Sequence, residues 1–123
     1  LRCGSTELVI QAERKLAGEA VDQARIHEIL LPWSEASTSP DTVVLGCTHF
    51  PLLKEEILQV LPGVTLVDSG SAVARRVQSV LGDVVANDDE DSWAYCTRLD
   101  EQALGLLPAL QARGLSRLLE WVA

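Results

Sequence analysis

The chain has 123 residues, is 47% hydrophobic with a mean hydropathy of +0.15, and carries a formal net charge of −8, which suffices for a core of ordinary domain size and excludes a disordered tail. The acidic balance argues against a nucleic-acid partner, and no apolar run approaches the roughly 18 residues of a membrane span, so a cytoplasmic protein with no membrane partner is expected. Three cysteines, Cys3, Cys47 and Cys96, stand at unrelated spacings with no leader ahead of them, so neither a disulfide framework nor a secreted protein is expected.

In chain order, Ser5 and Thr6 are caps for a helix to about Ala17, with Leu8, Val9, Ala12 and Leu16 on one face and Gly18 as its stop. A second helix runs from a cap at Asp22 to about Leu31, where Pro32 is expected to end it. Residues 34–40 are small and polar and read as a loop. The run Asp41-Thr42-Val43-Val44-Leu45-Gly46 lacks alternation, which suits a strand covered on both faces, as in a parallel sheet. A helix starts near Pro51, with Leu53, Ile57, Val60 and Leu61 on its sheet-facing side, and Pro62-Gly63 stops it. Residues 64–67 read as another buried strand, and Asp68 to Ser71 cap a helix with Val73, Val77 and Val80 at helical spacing. This order predicts the α/β class: a layered parallel sheet with flanking helices. Residues 83–91 form an acidic linker, and Ser92 to Cys96 one more strand. Asp100 caps a helix over about 101–112 that must kink or restart at Pro108, and Leu115 to Val122 is expected to be a final short helix.

The segment with chemistry in it is Gly46-Cys47-Thr48-His49-Phe50-Pro51. In open α/β sheets ligands sit beyond the carboxyl ends of the strands, and Cys47, Thr48 and His49 fall between a strand end and a helix start. Gly46 permits close backbone approach, and free N–H groups at the next helix could receive a carboxylate and favour a thiolate nearby. An ordinary thiol is mostly protonated at neutral pH, so a helix terminus and an adjacent imidazole are what would make it a usable base. The plainer alternative is a buried Cys47 and a His49 that only caps a helix. A metal is disfavoured: Cys47 and His49 are too close in sequence for a usual pair, the other histidine is His27 on a helix, and no Cys-x-x-Cys or His-x-x-x-His pair exists.

Leu-Gly-Cys-Thr-His-Phe-Pro-Leu-Leu at 45–53 resembles the second signature of the aspartate/glutamate racemase superfamily. Together with Leu30-Leu31-Pro32, Asp41 to Val44 and Val67-Asp68-Ser69-Gly70, it makes the chain similar to the C-terminal part of glutamate racemases of the bacterial cell-wall pathway, least so after about residue 82. The resemblance implies a cofactor-independent enzyme that uses two cysteines on opposite faces of the substrate α-carbon, one removing the proton and the other returning one. Cys47 matches the second thiol, His49 the imidazole assisting it, and Thr48, with Gly46, a binder of substrate. Glu13 matches a carboxylate on the helix well before the motif, although Ile10-Gln11-Ala12 ahead of it depart from the usual surroundings, and its plainer alternative is a charge on a solvated helix face. Asp68 to Gly70 match a family motif but suit a plain helix cap.

The segments expected to carry an Asp-Ser-Gly start and a first Cys-Asn-Thr do not occur ahead of Cys47. The implied organisation is therefore most of a second α/β lobe over 1–82, the linker at 83–91, and a strand and helices over 92–123 that would complete a missing first lobe. The implied partners are L-glutamate, D-glutamate and that first lobe, with a homodimer as the assembly to be tested, and the chain alone is expected to be inactive. Two alternatives stand beside this: a noncatalytic amino-acid-binding or assembly module, and a relative acting on aspartate or a hydantoin.

Overall fold

The computed structural model describes residues 2, 4–82 and 92–122. The chain divides into two compact units, one of Leu1–Glu13 and Val21–Asp83, the other of Arg14–Ala20 and Val84–Ala123. The acidic linker expected at 83–91 lies outside the described residues.

Helix α1 (Thr6–Leu16), which belongs to the first unit through Glu13, opens where Ser5 Oγ accepts the Leu8 N–H, and Leu8, Gln11 and Ala12 form its buried side. Gly18 follows at φ +79, a conformation that favours glycine after a helix. Buried Gln11 has two tasks: Nε2 donates to Glu7, and Oε1 accepts the Asp22 N–H at 2.8 Å. That second bond fixes the start of α2 (Gln23–Ser34), where the Asp22 carboxylate caps the Arg25 N–H. Contrary to expectation, α2 does not end at Pro32 but carries it inside its last turn. The one intrahelical bond proline cannot make would go to the carbonyl of Glu28, on the exposed side, so water can serve that carbonyl and the helix continues.

Strand β1 (Thr42–Val44) then pairs in parallel with β2 (Thr65–Val67), in the register Thr42↔Thr65, Val43↔Leu66 and Val44↔Val67. Between them lie a 3₁₀ turn over Phe50–Leu53, with Pro51 in its first turn, and α3 (Lys54–Val60). The core joins Ile26 and Leu30 of α2, Leu8 and Ala12 of α1, Val43 and Leu45 of the β1 segment, and Leu53, Ile57, Val60 and Leu61. The expectation of strands covered on both faces holds on one face only. Val43 is buried, whereas its neighbour Val44 is 71% exposed and the paired Val67 44%. Helix α4 (Gly70–Leu81) follows, with Val73, Val77 and Val80 all exposed.

The second unit holds another parallel pair, β3 (Ser92–Cys96) with β4 (Leu115–Glu120), joined through α5 (Glu101–Gly105) and α6 (Leu107–Gln111). Asp100 caps α5 through the Ala103 N–H, and the restart expected at Pro108 is real: the helix breaks at Leu106 and resumes with the proline in its first turn. Leu115 to Val122 is not a helix. Residues 115–120 form β4, because Trp93 to Cys96 offer a strand edge with which they pair over Arg117 to Glu120. Among the described residues no helix is long and apolar enough to cross a membrane.

Candidate active site

The site is built where β1 stops. Leu45 keeps its backbone bonded to β2, donating to the Val67 carbonyl at 2.8 Å, and its side chain is buried. Gly46 and Cys47 then leave the sheet. The Cys47 carbonyl accepts the Phe50 N–H and the His49 carbonyl the Leu52 N–H, so the segment winds directly into the 3₁₀ turn. The helix expected to start near Pro51 opens as this tighter turn and becomes α-helical from Lys54; His49 sits at the turn's N-terminal boundary without a side-chain cap.

Winding brings three of the predicted side chains into line. Cys47 Sγ lies 3.7 Å from His49 Nδ1, and His49 Nε2 lies 3.3 Å from Glu13 Oε1 on α1. Thr48 Oγ1 stands 3.5 Å from the same Nδ1. The two ring nitrogens therefore have separate partners. An ionised carboxylate can only accept a hydrogen bond, so Glu13 favours the tautomer with its proton on Nε2, and the neutral ring then presents a lone pair at Nδ1 to the thiol. The thiol can pass its proton to Nδ1, giving a thiolate beside an imidazolium whose other side is balanced by Glu13. Cys47 and Cys96 are both free thiols. Cys96 instead packs in β3 with its Sγ 3.5 Å from the Leu119 carbonyl.

An open cleft of about 810 Å³ runs along the uncovered face of β1, walled by Trp33, Thr38, Ser39, Val44, Gly46 and Cys47 among others. Cys47 and Gly46 reach it; Thr48, His49 and Glu13 are not part of its wall. The hydroxyls of Thr38 and Ser39 lay in a stretch read only as a loop. Their one sequence signal is that they shortly precede the strand that leads to Cys47. Among the described residues no group of three His, Cys, Asp or Glu side chains could hold a metal ion.

Comparison with known proteins carries the site further. No family model matches the chain. It is 51% identical over 118 residues to glutamate racemase of Serratia proteamaculans (strain 568), a match covering 94% of this chain and 41% of that protein. The chain is a homologue of glutamate racemases. The enzyme of Yersinia pseudotuberculosis serotype O:3 is 50% identical over 119 residues and that of Proteus mirabilis 48% over 118, each again matched over 41% of its length. Among solved structures, Escherichia coli glutamate racemase in complex with L-glutamate and the activator UDP-MurNAc-Ala superposes with a TM-score of 0.88 at 46% identity, over 98% of this chain and 46% of that one. The chain thus spans about two fifths of the length of the curated glutamate racemases it matches.

Proposed function

We propose that this chain supplies one proton-transferring thiol, with its assisting imidazole, to a glutamate racemase that interconverts L- and D-glutamate and so provides D-glutamate for peptidoglycan. The observation that carries this reading is the line from Cys47 through His49 to Glu13, at the end of a parallel strand and beside an open cleft. Inversion at a carbon needs a base on each face, because a single base tends to return the proton to the face it left. Cys47 acts on one face, as base in its thiolate form and as acid when protonated. His49 takes up and returns the thiol proton, and Glu13 orients the ring and stabilises its charged form. Gly46 lets the α-carboxylate approach the backbone, and Thr48 offers its hydroxyl and N–H to the substrate. No cofactor is called for by these roles.

The second thiol belongs to another lobe. In this reading residues 1–82 form most of the lobe described above, and 92–123 complete the other one. Trp93, Tyr95 and Trp121, all substantially exposed, support that part: they give the second unit an apolar surface suited to burial. A thiol base must stay reduced, which suits a cytoplasmic enzyme.

The test is polarimetry on a protein of the relatives' length that contains residues 1–123. The rotation of either L- or D-glutamate should decay to zero. Activity on aspartate or a hydantoin with both glutamates untouched selects the alternative substrate class, and binding of glutamate without any loss of rotation selects a noncatalytic module.

A further inference from the structure

Segment 46–53 carries every group assigned above except Glu13, and its two ends are held by adjacent residues of one neighbour. At the start, Leu45 donates its N–H to the Val67 carbonyl. At the end, Lys54 Nζ lies 2.6 Å from Asp68 Oδ2. The Asp68 carboxylate is itself fixed, since Oδ1 accepts the Gly70 N–H at 2.7 Å and the side chain is only 15% exposed. Gly70 is matched to this arrangement: a Cβ there would stand 2.9 Å from Asp68 Oδ1. Asp68 therefore does more than begin α4. The cap residue of that helix, Ser69, makes no side-chain capping bond, and Asp68 spends one oxygen on the backbone and the other on Lys54.

We propose that Lys54 and Asp68 form a clasp that closes segment 46–53 onto the end of β2 and thereby positions His49 between Cys47 and Glu13; as a positioning role, it rests on the racemase reading. The mechanical reason is that the segment contains a 3₁₀ turn, a poorly bonded and easily unwound piece of backbone. The bonds that lead into that turn run from the Phe50 N–H to the Cys47 carbonyl and from the Leu52 N–H to the His49 carbonyl. Unwinding it by one residue would carry His49 out of line with both partners. Leu53, fully buried, holds the turn to the core from one side; the clasp holds the following residue from the other. Lys54 is also a cation in the first turn of a helix, an unfavourable place against the helix dipole, where the Asp68 carboxylate joins Glu55 and Glu56 of that turn in offsetting its charge.

The imidazole signals of the 123-residue chain test this directly, because His27 on α2 is an internal reference in the same spectrum. His49→Asn assigns the His49 ring resonance by its loss. Lys54→Met and Asp68→Asn should each move and broaden that resonance while leaving the His27 signal in place, and Lys54→Arg should restore the parent position. Should Lys54→Met fail to fold, Asp68→Asn carries the same comparison, being isosteric and still able to accept from Gly70. A His49 resonance unmoved in the folded variants, or a loss that Lys54→Arg does not restore, overturns the clasp. No turnover enters this measurement, so its failure leaves the racemase reading standing, and failure of that reading would be seen separately by polarimetry.

Discussion

At the scale of single residues, the side chain whose role can be isolated most cleanly is His49. Its Nδ1 faces Cys47, with Thr48 Oγ1 also near, and its Nε2 faces Glu13, so its removal should act on one face of the substrate. In a protein of the relatives' length, His49→Asn should lower kcat unequally from L- and D-glutamate. The equilibrium constant between enantiomers is one, so kcat/KM must fall equally in both directions and KM must absorb any asymmetry in kcat. Steady-state kinetics from both enantiomers check this; kinetic constants per folded molecule that stay at parent values would make His49 a structural residue. That Cys47 and His49 belong together was legible in the sequence because two positions apart at a strand end leaves little freedom for them to separate. Glu13 is harder. It lies on another element, and only the fold shows that α1 passes its carboxylate within 3.3 Å of the ring. Lys54 and Asp68 were not legible at all, since a lysine after a turn and an aspartate before a glycine each have an ordinary local explanation.

Among the elements, caps are the interactions most local in sequence, and they were read correctly at Ser5, Asp22 and Asp100. Asp22→Ala should cost about 1 kcal/mol, the usual loss for a side-chain cap, measurable as a lower urea midpoint followed by circular dichroism. Asp100 allows a prediction with a sign. The Ala103 N–H it caps, then Arg98 beside it, hold its carboxyl below the ordinary aspartate range. A depressed native value means the ionised form is favoured by folding, so this contribution is complete above the unfolded value and lost as pH falls through the native one. The difference in urea midpoint between the parent and Asp100→Asn should be full at neutral pH and close below about pH 4. A gap that persists at low pH would show that the cap, not the charge, carries it. The misread element was β4. Leu115, Leu118 and Leu119 recur at helical spacing, but the β3 partner shifts register between Ser92 and Trp93, and Ser116 is the extra residue, its Oγ bonded to the Ser92 carbonyl at 3.2 Å. A bulge erases the alternation by which a strand is recognised, and its cause lies 24 residues upstream in the chain.

For the whole molecule, the parallel α/β arrangement was legible because strand and helix alternate within short distances, whereas the uncovered faces were not. Val44 and Val67 read as buried because their sequence is that of a doubly covered strand, yet both are exposed here. Both residues suit a protein in which more chain lies against them, in keeping with relatives matched over 41% of their length. With a single catalytic thiol proposed on residues 1–123, this chain alone should not change the rotation of L- or D-glutamate. Sustained racemisation by the purified chain, free of other enzymes, would show that one thiol suffices and that the second lobe is dispensable. The most direct measurement of the central claim is the turnover of Cys47→Ser in a protein of the relatives' length. A hydroxyl of similar size keeps the turn but is a far poorer base, so polarimetry should show racemisation reduced by at least about 10²-fold, with circular dichroism unchanged; turnover near the parent rate would mean that Cys47 is a packing residue and not the proton-transferring thiol.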